Sequence, residues 1–156
     1  MLKDDKGITM TSLVIMIIVL LILASVSVTT GYSGIKEIRI GRIVSNMTMV
    51  KAKAETIYEA NQFNEENLIG QKSDINSISI SSVEQNLIGA ISGDWYKWDK
   101  SVLKGQGLDP NMLSGDNEYF LVNYEKPEVI YSKGESLNGS ERYYSLTGLK
   151  YILEKD

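Results

Sequence analysis

Oxygen-bearing side chains gather in two short stretches, Asp109-Pro110-Asn111 and Asp116-Asn117-Glu118. Carboxylate and amide oxygens at close spacing are the ligands calcium takes, so Asp109, Asn111, Asp116 and Glu118 are calcium candidates. The spacing is not that of an EF-hand loop. Asp109 ahead of Pro110 is also the start signal of a helical turn, and turn and cap roles outweigh the calcium reading. No metal and no other cofactor is assigned. Catalysis has less to work with. The chain holds no histidine and no cysteine, which removes the usual general base, the thiolate nucleophile and the commonest zinc ligands. Gly134-Glu135-Ser136-Leu137-Asn138 lacks the second glycine of a nucleophile elbow. Asp94, Asp99, Asp109 and Asp116 are spread over loops, where acids are ordinarily just solvated. The sequence predicts no enzyme.

The sharpest chemical feature lies at the other end. A charged leader ends in Lys6-Gly7, and no charge returns until Lys36; residues 13–24 are all apolar. A bilayer core needs roughly 20 predominantly apolar residues at about 1.5 Å each. Residues 8–30 meet that length, with Thr9, Thr11, Ser12 and Ser25 to Thr30 making both ends polar, so the segment is expected to span a membrane. A cleaved secretory signal is one reading, with Ala24-Ser25-Val26-Ser27 as the small residues at the cut. An ordinary single-pass anchor is another. A processing site at Gly7–Ile8 is the third, and it alone accounts for the abrupt edge at Lys6-Gly7-Ile8-Thr9.

Gly7, Ile8, Thr9 and Met10 resemble the junction of type IV prepilins and of type II secretion pseudopilins. That pattern is a glycine before the cut, an apolar residue, threonine, two more apolar residues and usually glutamate. Here Thr11 departs mildly, and Ser12 stands in the glutamate's place. The segment is most similar to short pilin-like proteins of clostridia and related Gram-positive bacteria, which often lack the glutamate too. The resemblance implies cleavage between Gly7 and Ile8 by a prepilin peptidase, N-methylation of Ile8, and assembly with other pilin or pseudopilin subunits through the apolar helix. Thr9, Ser12, Gly31 and Gly34 are then assembly residues. Cutting after Gly7 creates an α-amino group on Ile8. An unpaired buried ammonium costs several kcal/mol, and Ser12 can accept a hydrogen bond but cannot neutralise that charge. This favours a minor subunit over the repeating body of a fibre.

Beyond the apolar segment, Ile38, Ile43, Met47, Val50, Ala54, Ile57 and Asn61 recur mostly three or four residues apart. Lys51, Lys53, Glu55 and Glu59 fall on other faces, so the pattern predicts an amphipathic helix. Asn64, Asn67 and Gly70 mark its end. Gly31 and Gly34 join the two halves, each costing about 1 kcal/mol as a helix-interior glycine, and a bend is expected there. Lys36, Arg39 and Arg42 just beyond are expected to meet lipid headgroups or solvent. Lys3 and Lys6 oppose those three, so charge counting does not favour a cytoplasmic leader; an outward head domain follows from the resemblance alone.

Residues 1–69 carry 7 basic and 7 acidic side chains of the chain's 16 and 20, so the remainder holds 9 (16 − 7) and 13 (20 − 7), the whole net charge of −4. An acidic surface argues against nucleic-acid contact by this head domain. Its small size suggests packing on the apolar stripe of the long helix. Ile78 and Ile80 alternate as in a strand. Ser81-Ser82-Val83-Glu84 reads as a capping box opening a helix to about Ile91, and Asp99 as the cap of one short turn of helix. Residues 118–124 and 128–132 read as a hairpin, 142–145 as a further strand and 147–153 as a terminal helix. A resemblance to the same pilin-like proteins extends here. Trp95, Gly107-Leu108, Tyr119 to Tyr124, Glu128-Val129-Ile130 and Tyr143-Tyr144-Ser145-Leu146 follow their order, with Lys126-Pro127 departing at the turn.

The expected architecture is therefore α+β: a long N-terminal helix, one half membrane-spanning and one half amphipathic, packed on a small antiparallel-sheet head. Its parts are a leader at 1–7, a transmembrane or filament-core helix at 8–34, a helical extension at 35–66 and the head at 67–156. The function expected is a pilin-like, minor structural subunit of a type IV pilus or secretion-type pseudopilus. Its partners would be membrane lipid, other subunits and the prepilin peptidase and methylase. It would sit in the membrane with an extracytoplasmic head and then enter a cell-surface filament. The alternative is an uncleaved, anchored extracellular module that binds or adheres through exposed aromatic residues.

Overall fold

The computed structural model describes residues 9–89, 93–139 and 141–155, the side chains of 26–33 excepted. The chain divides into two compact units, Met1–Lys36 and Glu37–Asp156. Helix α1 runs Met10–Ala60. Thr9 caps it, its hydroxyl accepting from the Ser12 N–H at 3.3 Å while its carbonyl accepts the first helical bond from Leu13. The backbone stays helical through Gly31 and Gly34. The chain leaves α1 through Gln62 and Phe63, both in the left-handed region, whose N–H groups reach the carbonyls of Glu59 and Tyr58.

In the first unit the apolar helix is bare. Eleven consecutive residues, Leu13 to Leu23, are exposed. Its wholly apolar core is short: polar Thr9, Thr11 and Ser12 precede it and Ser25 follows, so Leu13 to Ala24 is twelve residues (24 − 13 + 1), about 18 Å of helix against the roughly 30 Å of a bilayer core. Among the described residues no helix is long and apolar enough to cross a membrane. The membrane-spanning half of the expected helix is corrected on this point.

The second unit is an α+β domain around a five-stranded antiparallel meander, in which neighbours in sequence are neighbours in the sheet. Its strands are β1 (Gln71–Ser73), β2 (Trp95–Trp98), β3 (Phe120–Asn123), β4 (Glu128–Glu135) and β5 (Tyr143–Ser145). Alternation along the strands sends side chains to two faces. Tyr96, Trp98, Phe120, Val122, Val129 and Tyr131 join one core with Ile40, Met47, Val50 and Ala54 of α1. Trp95, Leu121 and Ile130 form a second, smaller core with Ile78 on the opposite face, backed by Ile75 and Ile80. The residues expected to make a strand at 78 and 80 instead follow a 3-10 turn, Ile75–Ser77, and cover the sheet. The helical stripe also begins later than its periodicity suggests. Ile38 is 68% exposed, whereas Ile40 is buried.

Three short helices complete the unit: α2 (Ser82–Ile88), α3 (Lys100–Gly105) and α4 (Leu146–Lys155). Ser81 caps α2 and Asp99 caps α3, each accepting a backbone N–H three residues on. Helix α2 ends at Ile88, where Gly89 takes a φ of +75°. Pairing of β4 with β5 is irregular between Ile130 and Glu135. Gly134 sits there at φ +60°, and a Cβ on it would lie 2.6 Å from the Tyr144 ring and 2.7 Å from the Tyr143 carbonyl oxygen. Only glycine fits that bulge.

Candidate functional site

The surface most in need of a function is the first part of α1. From 13 to 23 its Leu, Ile, Val and Met side chains each keep between 44% and 65% of their area exposed. Consecutive helical residues advance by 100°, so eleven in a row cover every direction around the axis. An amphipathic helix is satisfied by one partner surface; a helix apolar all round needs apolar surroundings on all sides. An exposed apolar surface of this kind marks an interaction site.

The polar groups at its start are few. Thr9 and Ser12 are exposed and bonded to each other, the Thr9 hydroxyl donating to the Ser12 hydroxyl at 3.0 Å. Ser12 occupies the third helical position, where a capping-box glutamate would stand, and the first turn carries no acidic residue. Gly7 and Ile8 lie outside the described residues. Gly31 is helical, and its surroundings lie outside them too. Gly34 is open, with no atom within 4 Å of the place a Cβ would occupy. Arg39, expected to meet solvent or headgroups, keeps 56% of its side chain exposed and also pairs with Glu135 at 2.7 Å.

The oxygen-rich loops of the second unit are engaged by the protein itself. Asp109 accepts from the Asn111 N–H at 2.9 Å, capping a 3-10 turn at Pro110–Met112. Asp116 meets Lys100 at 3.0 Å. Glu118 accepts from the Ser114 N–H and hydroxyl and from the Tyr131 hydroxyl, with the Lys133 ammonium 3.4 Å away. Burial would raise the Glu118 carboxyl, but the hydrogen bonds from Tyr131, Ser114 and the backbone outweigh it and hold the group at about 2. The same pairing, after burial, pushes the Tyr131 hydroxyl well up. Among the described residues no cluster of three or more His, Cys, Asp or Glu is placed to hold a metal ion.

Most aromatic residues that could have formed an adhesive surface are interior. Trp95, Trp98, Tyr124, Tyr131 and Tyr143 are buried, and Tyr119 and Tyr144 back the smaller core. Tyr124 donates to the Ile69 carbonyl at 2.6 Å, and the Trp98 indole N–H reaches that carbonyl at 3.1 Å. Burial foremost raises the Tyr124 hydroxyl to about 12. Gly70 follows at φ +102°, where a Cβ would stand 2.9 Å from the Lys97 carbonyl oxygen.

Glu84 takes a place that the capping-box pattern does not foretell. It is fully buried, and its Oε1 accepts from the backbone N–H groups of Tyr144 at 2.8 Å and Ser145 at 2.5 Å. A carboxylate at this place faces the positive end of α4. Its partners are about sixty residues away, and no local pattern signals them. Comparison with protein-family models, curated proteins and solved structures finds no match to this chain.

Proposed function

We propose that the chain is a pilin-like structural subunit, and a minor one, of a type IV pilus or a type II secretion-type pseudopilus. It is cut between Gly7 and Ile8 by a prepilin peptidase, methylated on Ile8, and held among other subunits by the apolar start of α1. The observation that carries this reading is the eleven-residue stretch, 13 to 23, exposed and apolar in every direction. Association with several neighbours covers such a surface, and a filament core provides them. The head domain has its own core and can fold before the helix finds partners.

Ser12 sets the rank of the subunit. Cleavage places a new α-amino group four residues ahead of it, at the positive end of the helix dipole, where a cation is disfavoured. With no carboxylate in that turn, a subunit buried on all sides would leave the ammonium unpaired. A position at a filament end, partly open to solvent, avoids that cost. Intact-mass analysis of the protein from its native host tests the processing. The expected chain starts at methylated Ile8; a chain starting at Met1 in assembled material overturns the proposal. Gly7→Arg is expected to abolish the cleavage and leave the head folded.

A further inference from the structure

Between the segment after β4 and the exposed side of α4, the head domain carries a cleft of about 440 Å³. Leu137 and Tyr143, both nearly buried, form its floor with Ile152, and Tyr151 stands as a half-buried wall. Asn138, Glu141 and Lys155 make the rim. The volume falls within the range of small-molecule sites, and an apolar aromatic base with a few convergent polar groups is their usual make-up.

The rim chemistry narrows the occupant. Glu141 and Lys155 carry one charge each and cancel, so the cleft selects neither a cation nor an anion. The ammonium of Lys155 already lies 5.4 Å from the centre of the Tyr151 ring and would repel a second cation. The rings of Tyr143 and Tyr151 stand 6.2 Å apart in mutual contact, leaving no slot in which a cation could be caged. The Tyr143 hydroxyl donates to one Glu141 oxygen at 3.3 Å. The other Glu141 oxygen and the Asn138 amide are planar polar groups suited to neighbouring hydroxyls. A ligand that is neutral, has one apolar flat face and carries several hydroxyls matches all of these.

We propose that the cleft bounded by Asn138, Glu141, Tyr143 and Tyr151 binds a neutral saccharide, one pyranose ring lying on Tyr151 in place of the Lys155 ammonium and its hydroxyls held by Asn138 and Glu141. This site lies wholly in the second unit and does not depend on how α1 is covered. The test is calorimetric titration of the full chain, kept dispersed in a sugar-free zwitterionic detergent, with cellobiose, N,N′-diacetylchitobiose and glycylglycine. Saturable binding of at least one disaccharide is expected, at millimolar strength for an open cleft, and glycylglycine is expected not to bind. Tyr151→Ala is expected to weaken disaccharide binding about tenfold or more, with unchanged circular dichroism. Should Tyr151→Ala fail to fold, the exposed Asn138→Ala serves, with a loss of about threefold to tenfold. The proposal is overturned if neither disaccharide binds, if glycylglycine binds instead, or if the folded variant binds as tightly as the parent.

Discussion

Glu118 shows how one carboxylate can be read in two ways. In the sequence it is an oxygen ligand in an acidic loop; in the fold it is an acceptor surrounded by donors. Its carboxyl is held at about 2 against an ordinary 4.5. The folded value lies below the unfolded one, so the stability it contributes is fully present above about pH 4.5. That stability is lost as pH falls towards 2. Glu118→Gln is expected to cost about 1–3 kcal/mol at neutral pH, the worth of hydrogen bonds to a charged group. The gap between parent and variant should close as the pH is lowered through that window. Urea unfolding at a series of pH values measures both; a gap independent of pH would mean the carboxylate charge is not what Tyr131 and Ser114 recognise.

Ser12 offers a second prediction at this scale. Ser12→Glu places a carboxylate at the third helical position beside the Thr9 cap, completing a capping box and opposing the helix dipole. It is expected to stabilise the first turn by about 0.3–1 kcal/mol. In the proposed filament it would also pair the Ile8 ammonium and raise the share of this subunit in sheared filaments, read by quantitative immunoblot. An unchanged share would detach Ser12 from the subunit's rank.

Among the elements, α1 is one helix under two regimes. Met47 is fully buried and Ile38 is 68% exposed, though both lie on the same apolar repeat. Met47→Ala is expected to cost about 2–5 kcal/mol, as a large core side chain cut to a small one does. Ile38→Ala should stay within about 0.5 kcal/mol. Denaturant titration of the two variants shows directly where the core of the second unit begins. Helix α4 depends on a partner from outside its own segment. A Cβ on Gly148 would stand 2.6 Å from Glu84 Oε1 and 2.9 Å from Ser145 Oγ. Gly148→Ala, which helix propensity alone would favour by about 1 kcal/mol, is therefore expected to destabilise by about 1–3 kcal/mol through overpacking. A stabilised variant would show that the Glu84 cap can move aside.

For the whole molecule, the buried core residues among those described all lie at or beyond Ile40, inside the unit Glu37–Asp156. A chain cut to residues 37–156 is expected to unfold within about 0.5 kcal/mol of the full chain. It should also lose the self-association that the apolar stretch 13–23 drives. Equilibrium unfolding and sedimentation velocity test the two halves of that statement separately. A fragment that unfolds far more easily would place part of the stabilising core outside the second unit.

Much of this was legible in the sequence because the signals are local. Ser81 and Asp99 at helix starts, and alternating residues around 120–123 and 128–131, state their structure within a few positions. The apolar character of residues 13–24 is a matter of composition, and it alone determined that the chain carries a surface in need of cover. The span of a membrane was not decided by composition. It depends on the length of continuously apolar helix, and among the described residues no helix is long and apolar enough to cross. The rest rested on which groups meet across long stretches of chain. Arg39 finds Glu135 ninety-six residues on, and Glu84 turns from its own helix to the start of α4. Asp109, Asp116 and Glu118 meet backbone, lysine, serine and tyrosine donors, and the tyrosines sort into core and cleft. Periodicity tells each residue which side of its element it occupies. Only the packing of those elements decides what stands opposite, and for a charge or a hydroxyl the partner opposite is the function.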